Sequence, residues 1–370
     1  MVRLESLASR QIRFSRELTS TDVHENLREA IQAERQGYDY VWIPDHLTDI
    51  PPPVVVLDAW TVMSYVGSHT NKLRVASGVT DTQRVHPAKT ANIVATLDNI
   101  TNGRAILGIG AGEVMNTKPY GIPWESSKVR IKRVEEALRV IRLLWTSSYH
   151  NPVDFNGEIF HLERAHLDLP PVQKPAPPIY VGAYHSTRML EIAGELADGW
   201  YPAFYYTVKG YRERLGVIRE AAGKAGRKFD AFDRMVYVPV VVAKKTPSLT
   251  KQLKENLKRQ MITNTYLFKV LGAEEALESF PKELHYQLIT PTLDYTKMID
   301  KVVGKLEVPD EALEKGIDEM MAVGTPDECI ESLERFVKAG ATHVCVNKPL
   351  DFRDDFRAVA SRVMPHFKTK

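Results

Sequence analysis

Eight short apolar runs, rich in β-branched residues and separated by amphipathic helical patterns, constrain this sequence more than any other feature. The runs cover residues 11–14, 40–43, 73–77, 105–110, 179–182, 199–201, 235–243 and 343–347. Helical spacing fills the intervals. Residues 21–36 have Thr21 as the expected cap, 88–99 follow Pro87, 129–145 carry Arg and Lys on one face, and 326–339 open after Thr325 and stop at Gly340. Strands that alternate with helices pair in parallel. Eight such units fit a closed (β/α)8 TIM barrel better than an open sheet. An open dinucleotide-binding sheet calls for a glycine-rich turn after its first strand, and none follows 11–14.

One such barrel takes about 250 residues, so a chain of 370 residues reads as a single barrel domain, 1–370, with insertions. Two stretches break the rhythm. Residues 151–173 predict a hairpin, because Val-Asp-Phe-Asn-Gly-Glu-Ile-Phe alternates around the turn pair Asn156-Gly157. Residues 247–318 read as a charged helical insertion, placed over the barrel mouth.

A net charge of +2 and 26% charged residues exclude the basic stripe of a nucleic-acid-binding face. No run approaches the roughly 18 apolar residues that span a bilayer, and the first residues lack a signal-peptide pattern. The expectation is a cytoplasmic protein acting on a small molecule, with neither nucleic acid nor membrane as partner. Cys329 and Cys345 are too few and too far apart for a disulfide framework or a zinc knuckle, so they read as buried thiols and no metal site is expected.

In a (β/α)8 barrel the chemistry sits at the C-terminal ends of the strands. After the second run comes Pro44-Asp45-His46, a carboxylate beside an imidazole, the pairing that tunes a proton donor near neutral pH. After the third comes Gly78-Val79-Thr80-Asp81, where a glycine permits close approach to a planar ring. After the fourth comes Gly108-Ile109-Gly110-Ala111-Gly112-Glu113-Val114-Met115-Asn116. Its small residues let the backbone approach a ligand, and burial at the mouth would raise the Glu113 carboxyl toward acid work. After the fifth, Gly182-Ala183-Tyr184-His185-Ser186 precedes a helix, as a phosphate site does. Taken singly, each segment is also what an ordinary strand-end turn or cap looks like; together they put small and ionisable residues at one end of one barrel. Trp200, Tyr201, Phe204, Tyr205 and Tyr206 read as the wall of an apolar substrate cavity or as plain packing.

These runs, with His86-Pro87-Ala88, Ala193-Gly194-Glu195-Leu196-Ala197-Asp198-Gly199-Trp200 and Val323-Gly324-Thr325-Pro326-Asp327-Glu328, resemble the bacterial-luciferase-like superfamily over almost the whole chain. The nearest likeness is to its F420-dependent branch, which holds glucose-6-phosphate and secondary-alcohol dehydrogenases and methylenetetrahydromethanopterin reductases. The resemblance implies a homodimeric barrel that binds coenzyme F420, with FMN as the alternative. It implies a bulge with a non-prolyl cis peptide at Gly78-Val79 behind the cofactor ring. Thr80, Ala111, Gly112, Asn116, Gly182, Ala183, Tyr184 and Ser186 complete the expected cofactor contacts, with Thr187 and Arg188 as further donors.

The implied reaction is hydride transfer between the deazaflavin and an alcohol, ketone or methylene-tetrahydropterin. His46 acts as acid/base and is held by Asp45, and Glu113 stabilises the charged imidazole or donates a proton itself. Two departures argue against glucose 6-phosphate: Ile50 stands where the sugar-phosphate enzymes have Trp, and Glu319 where they have a phosphate-binding Arg. The rival readings are an FMN-dependent monooxygenase of the same superfamily and a non-catalytic cofactor-binding barrel.

Overall fold

The structure, a computed structural model, describes residues 11–49, 55–278, 302–347 and 355–368. Eight parallel strands close into a barrel: β1 (Arg13–Glu17), β2 (Tyr40–Ile43), β3 (Arg74–Ser77), β5 (Ala105–Gly110), β8 (Ile179–Gly182), β9 (Gly199–Tyr201), β10 (Asp233–Val242) and β12 (His343–Asn347). Pairing of β9 with β10, through Gly199 with Asp233, shuts the ring. Two short strands lie off it: β4 (Thr80–Asp81) pairs with β5, and β11 (Ala322–Gly324) with β10.

Helices α1 (Val23–Arg35), α2 (Ala59–Ser68), α3 (Pro87–Ile100), α4 (Ser127–Leu144), α5 (Thr187–Leu196), α6 (Val208–Lys224) and α11 (Pro326–Lys338) connect the strands. The expected cap Thr21 is displaced by Asp22, whose carboxylate accepts the His24 N–H at 2.8 Å. Thr325 caps α11 in a reciprocal box with Glu328, a device contributing about 1 kcal/mol. Among the described residues no helix is long and apolar enough to cross a membrane, and no group of three or more His, Cys, Asp or Glu is arranged to hold a metal ion.

Alternation along each strand divides the apolar residues between two layers. Phe14, Val41, Ile43, Val75, Leu107, Ile109, Val181, Trp200, Val236, Val238, Val344 and Val346 pack outward against the helices. Tyr40, Trp42, Ala76, Ile106, Tyr180, Tyr201, Met235, Tyr237 and Cys345 fill the barrel. The interior is unusually polar. At its base Asp233 takes hydrogen bonds from Tyr180 and Thr342, faces His343 Nδ1 at 3.1 Å and pairs with Arg13 at 3.2 Å. One layer up, Ser15 meets His343 Nε2 at 2.7 Å and accepts from Trp42 Nε1 at 3.1 Å. This polarity moves the first strand two residues beyond the apolar run 11–14: Arg13, Ser15 and Glu17 face inward, so β1 shows no apolar stripe.

The hairpin forms from β6 (Val153–Asn156) and β7 (His161–Ala165), but not on a two-residue Asn-Gly turn. Asn156 pairs with His161, leaving a four-residue loop whose Glu158, Ile159 and Phe160 N–H groups donate to the Glu136 carboxylate of α4. A Cβ at Gly157 would stand 2.2 Å from Glu136 Oε2, so the glycine makes room for that carboxylate.

The stretch after β10 is helical where described: α7 (Pro247–Thr263), α8 (Tyr266–Leu271), α9 (Glu274–Glu278) and α10 (Asp310–Met320). Leu253, Leu257, Met261, Phe268, Leu313 and Met320 form one apolar cluster with the barrel-lining Tyr205, Tyr237 and Val241. Cys345 is buried in that cluster, Cys329 in the outer one, and neither forms a disulfide.

Candidate active site

The bulge after β3 is countable in the register. Ala76 pairs with Ile106 and Thr80 with Ile109, so four steps on one strand match three on the other. The extra residue falls at Gly78-Val79, whose peptide is cis. Gly78 N–H donates to Ile43 O at 2.8 Å, joining the bulge to the end of β2.

Glycines at the ends of β5 and β8 make room for this bulge. A Cβ at Gly110 or Gly182 would stand 3.0 or 2.9 Å from Val79 Cγ2, and one at Gly108 would stand 2.0 Å from Ser77 O. Gly108, Gly110 and Gly182 thus form a trough beside Val79, and Gly182 itself stays half-buried. Gly78 and Val79 themselves stay half-buried between the buried Ser77 and Thr80, so the bulge keeps an open face.

His46 follows β2 by three residues. Its Nε2 lies 3.4 Å from Glu113 Oε2, and its Nδ1 lies 3.7 Å from Asp49 Oδ1, an ion-pair rather than a hydrogen-bond separation. The imidazole is 19% exposed. Burial acts to lower its proton affinity, but Asp49 and Glu113 outweigh burial and the opposing charge of Arg84, and His46 is pushed up to about 9. Two expectations change here. Glu113 is not buried: its side chain is 50% exposed. Asp45 does not hold His46: its carboxylate lies 3.3 Å from Arg84 Nη2, and its carbonyl accepts from the same nitrogen at 2.6 Å.

Asn116 is 2% exposed and fastens the His46 loop to the Glu113 loop. Its Oδ1 accepts the N–H groups of Leu47 and Thr48 at 2.6 and 3.1 Å, and its Nδ2 donates to Glu113 Oε2 at 3.2 Å. It is thus a brace rather than an open cofactor contact.

Glu17, at the end of β1, escaped the sequence reading. It accepts from Tyr201 and Tyr237 hydroxyls at 2.5 Å each, from residues 184 and 220 positions away. Asn347 donates to the Tyr237 hydroxyl at 2.5 Å and accepts from Tyr205 at 2.8 Å. Burial pushes the Glu17 carboxyl up against the lowering effect of the two tyrosines. The signal was the alternation Arg13, Ser15, Glu17, masked because a polar strand interior lacks apolar periodicity.

The remaining cofactor expectations divide. Thr80 and Ala183 are buried, and Ala183 O accepts Trp200 Nε1 at 2.7 Å. Gly112 has φ +76°, and a Cβ there would stand 2.5 Å from Gln83 Nε2. Ala111 O accepts from that same Gln83 at 2.5 Å. The Tyr184 hydroxyl accepts from Asn264 at the end of α7, at 2.5 Å, so the ring faces the helical insertion. Ser186 caps α5. Arg188 is turned onto Glu191, Glu195 and Glu135, away from a phosphate role. Of the aromatic wall, Trp200 and Tyr206 belong to the outer layer and Phe204 leans on Tyr184; only Tyr201 and Tyr205 line the barrel. Ile50 lies outside the described residues, and Glu319 sits half-buried on α10.

The luciferase-like monooxygenase family profile matches residues 6–343. The chain belongs to this family. The luciferase-like barrel is 30% identical over 345 residues to 5,10-methylenetetrahydromethanopterin reductase of Archaeoglobus fulgidus, covering 91% of this chain and 93% of that protein. It is 36% identical over 222 residues to a phthiodiolone/phenolphthiodiolone dimycocerosates ketoreductase of Mycobacterium sp. (strain JLS), a match spanning 55% of this chain and 56% of that protein. These curated relatives are reductases, which places the chain among the oxidoreductases of the family. In fold it is similar to the coenzyme F420-dependent tetrahydromethanopterin reductase of Methanopyrus kandleri, with TM-score 0.77 and 24% identity over 97% of this chain and 100% of that one. A further structural neighbour is an F420-dependent secondary alcohol dehydrogenase in complex with an F420–acetone adduct, with TM-score 0.73 and 23% identity over 95% of this chain and 98% of that one.

Proposed function

We propose that this chain is an F420-dependent oxidoreductase that reduces a carbonyl group, or runs the reverse oxidation of an alcohol, with His46 as the acid/base. The observation that carries the reading is His46 itself, a mostly buried imidazole held between Asp49 and Glu113 at the C-terminal mouth and favoured as the cation at neutral pH. A permanently buried cation is of little use to packing, whereas a positioned imidazolium suits protonation of a developing alkoxide.

The site fits a planar deazaflavin. Gly78 and Val79 offer a half-open apolar face on a bulge locked by the glycine trough. Ala111 and Gly112 follow on the loop after β5, and the Ser186-capped start of α5 would offer N–H groups to a phosphate of the cofactor. When bound, reduced F420 supplies hydride and resists oxygen. As the carbonyl carbon gains that hydride, His46 gives its proton to the oxygen. Asp49 and Glu113 hold the imidazolium in place before transfer, and Asn116 keeps the two loops in register. The ketoreductase relative supports the carbonyl as the reacting group. The methylenetetrahydromethanopterin reductase supports the wider class and leaves a methylene-tetrahydropterin as a second substrate for the screen.

On this reading the functional unit is the whole barrel, 1–370, with the 151–173 hairpin and the 247–318 helices as insertions, working as a homodimer in the cytoplasm. The test is fluorescence titration with F420 and, separately, FMN, followed by a screen of ketones, secondary alcohols and pterins at the F420 absorption band. Micromolar F420 binding with turnover of a carbonyl or alcohol is expected. Preference for FMN reassigns the chain to the flavin monooxygenases, and F420 binding without turnover of any substrate makes it a binding barrel.

A further inference from the structure

Arg84 lies between β4 and α3, yet its guanidinium serves the loop after β2, 39 residues away. Nη2 donates to Asp45 O at 2.6 Å and lies 3.3 Å from Asp45 Oδ2; Nη1 reaches Asp45 Oδ1 at 3.4 Å; Nε donates to Asp81 Oδ2 at 2.5 Å. The arginine side chain is 10% exposed, and the two carboxylates 9% and 4%. Asp81 also accepts the N–H groups of Gln83 and Arg84 through Oδ1, at 2.8 and 2.9 Å. Gln83 then donates to Ala111 O. One guanidinium therefore joins the ends of β2 and β4, and through Gln83 the end of β5, which are the strand ends that carry His46, the bulge and Glu113.

The position of Asp45 gives this its consequence. Asp45 is the chain neighbour of His46 and the carboxylate a histidine there would ordinarily meet. With both its carboxylate and its carbonyl on Arg84, it leaves the imidazole to Asp49 and Glu113. We propose that Arg84 is a positioning residue for His46: by occupying Asp45 and tying its backbone to Asp81, it holds the imidazole with Nε2 toward Glu113 and the open mouth. This deepens the acid/base reading of His46 and rests on it, while the arrangement itself is a property of the cofactor-free chain.

Only arginine suits the task. Three acceptors on two residues are met by a rigid planar fork, which the single ammonium of lysine cannot reproduce. The charged groups around the imidazole are Asp49, Glu113, Arg84 and, at longer range, Glu17. Asp49 and Glu113 favour its cation and Arg84 disfavours it. Loss of Arg84 removes the opposing charge and leaves the buried Asp45 carboxylate, the chain neighbour of His46, without its guanidinium.

The experiment is a histidine-selective NMR titration of the cofactor-free chain, assigned with His46→Gln, in wild type, Arg84→Met and Arg84→Lys, each with and without Asp45→Asn. Circular dichroism and Tm confirm folding. The His46 midpoint is expected to rise in Arg84→Met by about 1 pH unit or more. It should rise part of the way in Arg84→Lys, which keeps the charge but loses the fork. Asp45→Asn should leave the wild-type midpoint nearly unchanged and bring the raised midpoint of either Arg84 variant back down.

A midpoint in folded Arg84→Lys equal to wild type overturns the proposal, because charge alone then suffices. So does an Asp45→Asn shift of equal size in both backgrounds, because Asp45 is then not withheld by Arg84. Should Arg84→Met not fold, the Arg84→Lys pair decides alone. Failure of wild type to bind F420 would sink the functional reading without touching this titration.

Discussion

Nε2 of His46 and Oε2 of Glu113 face each other at 3.4 Å from the ends of β2 and β5, two strands that do not pair because β3 lies between them. The bulge at Gly78-Val79 fills that gap, and Asn116 spans it by bonding the backbone beside His46 and the Glu113 carboxylate at once. An imidazole, its carboxylate partner and a half-open apolar bulge are thereby set on three consecutive staves of the barrel.

Replacing the imidazole should remove the chemistry and spare the bulge. His46→Gln is expected to lower kcat about 10²–10⁴-fold while F420 affinity stays within a few-fold of wild type. Steady-state rates with fluorescence titration measure both, and full turnover by the variant would end the acid/base assignment.

The pH profile has a defined sign. The His46 proton affinity is raised to about 9, so the donating form is present below that pH. Carbonyl reduction should hold through neutral pH and fall as pH rises through about 9; alcohol oxidation, which needs the free base, should rise over the same window. Glu113→Gln removes one of the two acids that favour the cation, so it should move this limb to lower pH. A limb that stays in place would mean Asp49 alone sets it.

Glu17 predicts a stability effect of its own. Its folded-state affinity for a proton is raised by burial, so the stabilising protonated form is complete below the unfolded carboxyl range and is lost as pH rises through the folded value. Glu17→Gln keeps a polar group for Tyr201 and Tyr237 and cannot ionise. Its Tm is expected to vary less than that of wild type between pH 5 and pH 9, values set by the measurement. Glu17→Ala leaves two buried hydroxyls without an acceptor and should cost about 1–3 kcal/mol. Thermal melts across pH check both.

The glycine trough can be tested by rescue. Gly182→Ala drives a Cβ to within 2.9 Å of Val79 Cγ2 and should cost about 1–3 kcal/mol. Val79→Ala removes both methyls, so the double variant should recover much of that loss. Gly108→Ala meets Ser77 O, a backbone atom, at 2.0 Å, and Val79→Ala should not relieve it. Urea unfolding of the three single and two double variants separates the two glycines; no rescue of Gly182→Ala by Val79→Ala would refute the trough.

The architecture was legible because alternation and helical period report which way a side chain faces. The eight strands, the hairpin, the Thr325 cap and the mouth loops that carry His46, Gly78-Val79 and Glu113 all appear in the linear sequence on that basis. Facing is not partnership, however. Arg84 takes up Asp45 across 39 residues, Glu17 meets tyrosines 184 and 220 residues on, and Gly110 and Gly182 make room for Val79 while Gly108 makes room for the Ser77 carbonyl. Each depends on which strand ends the closed ring brings side by side. Periodicity carries no information on that, and β1, polar on its inner face, was displaced for the same reason. Sequence alone determined the barrel and the residues at its mouth; the closure of the ring decided which of them touch, and so which carboxylates His46 answers to.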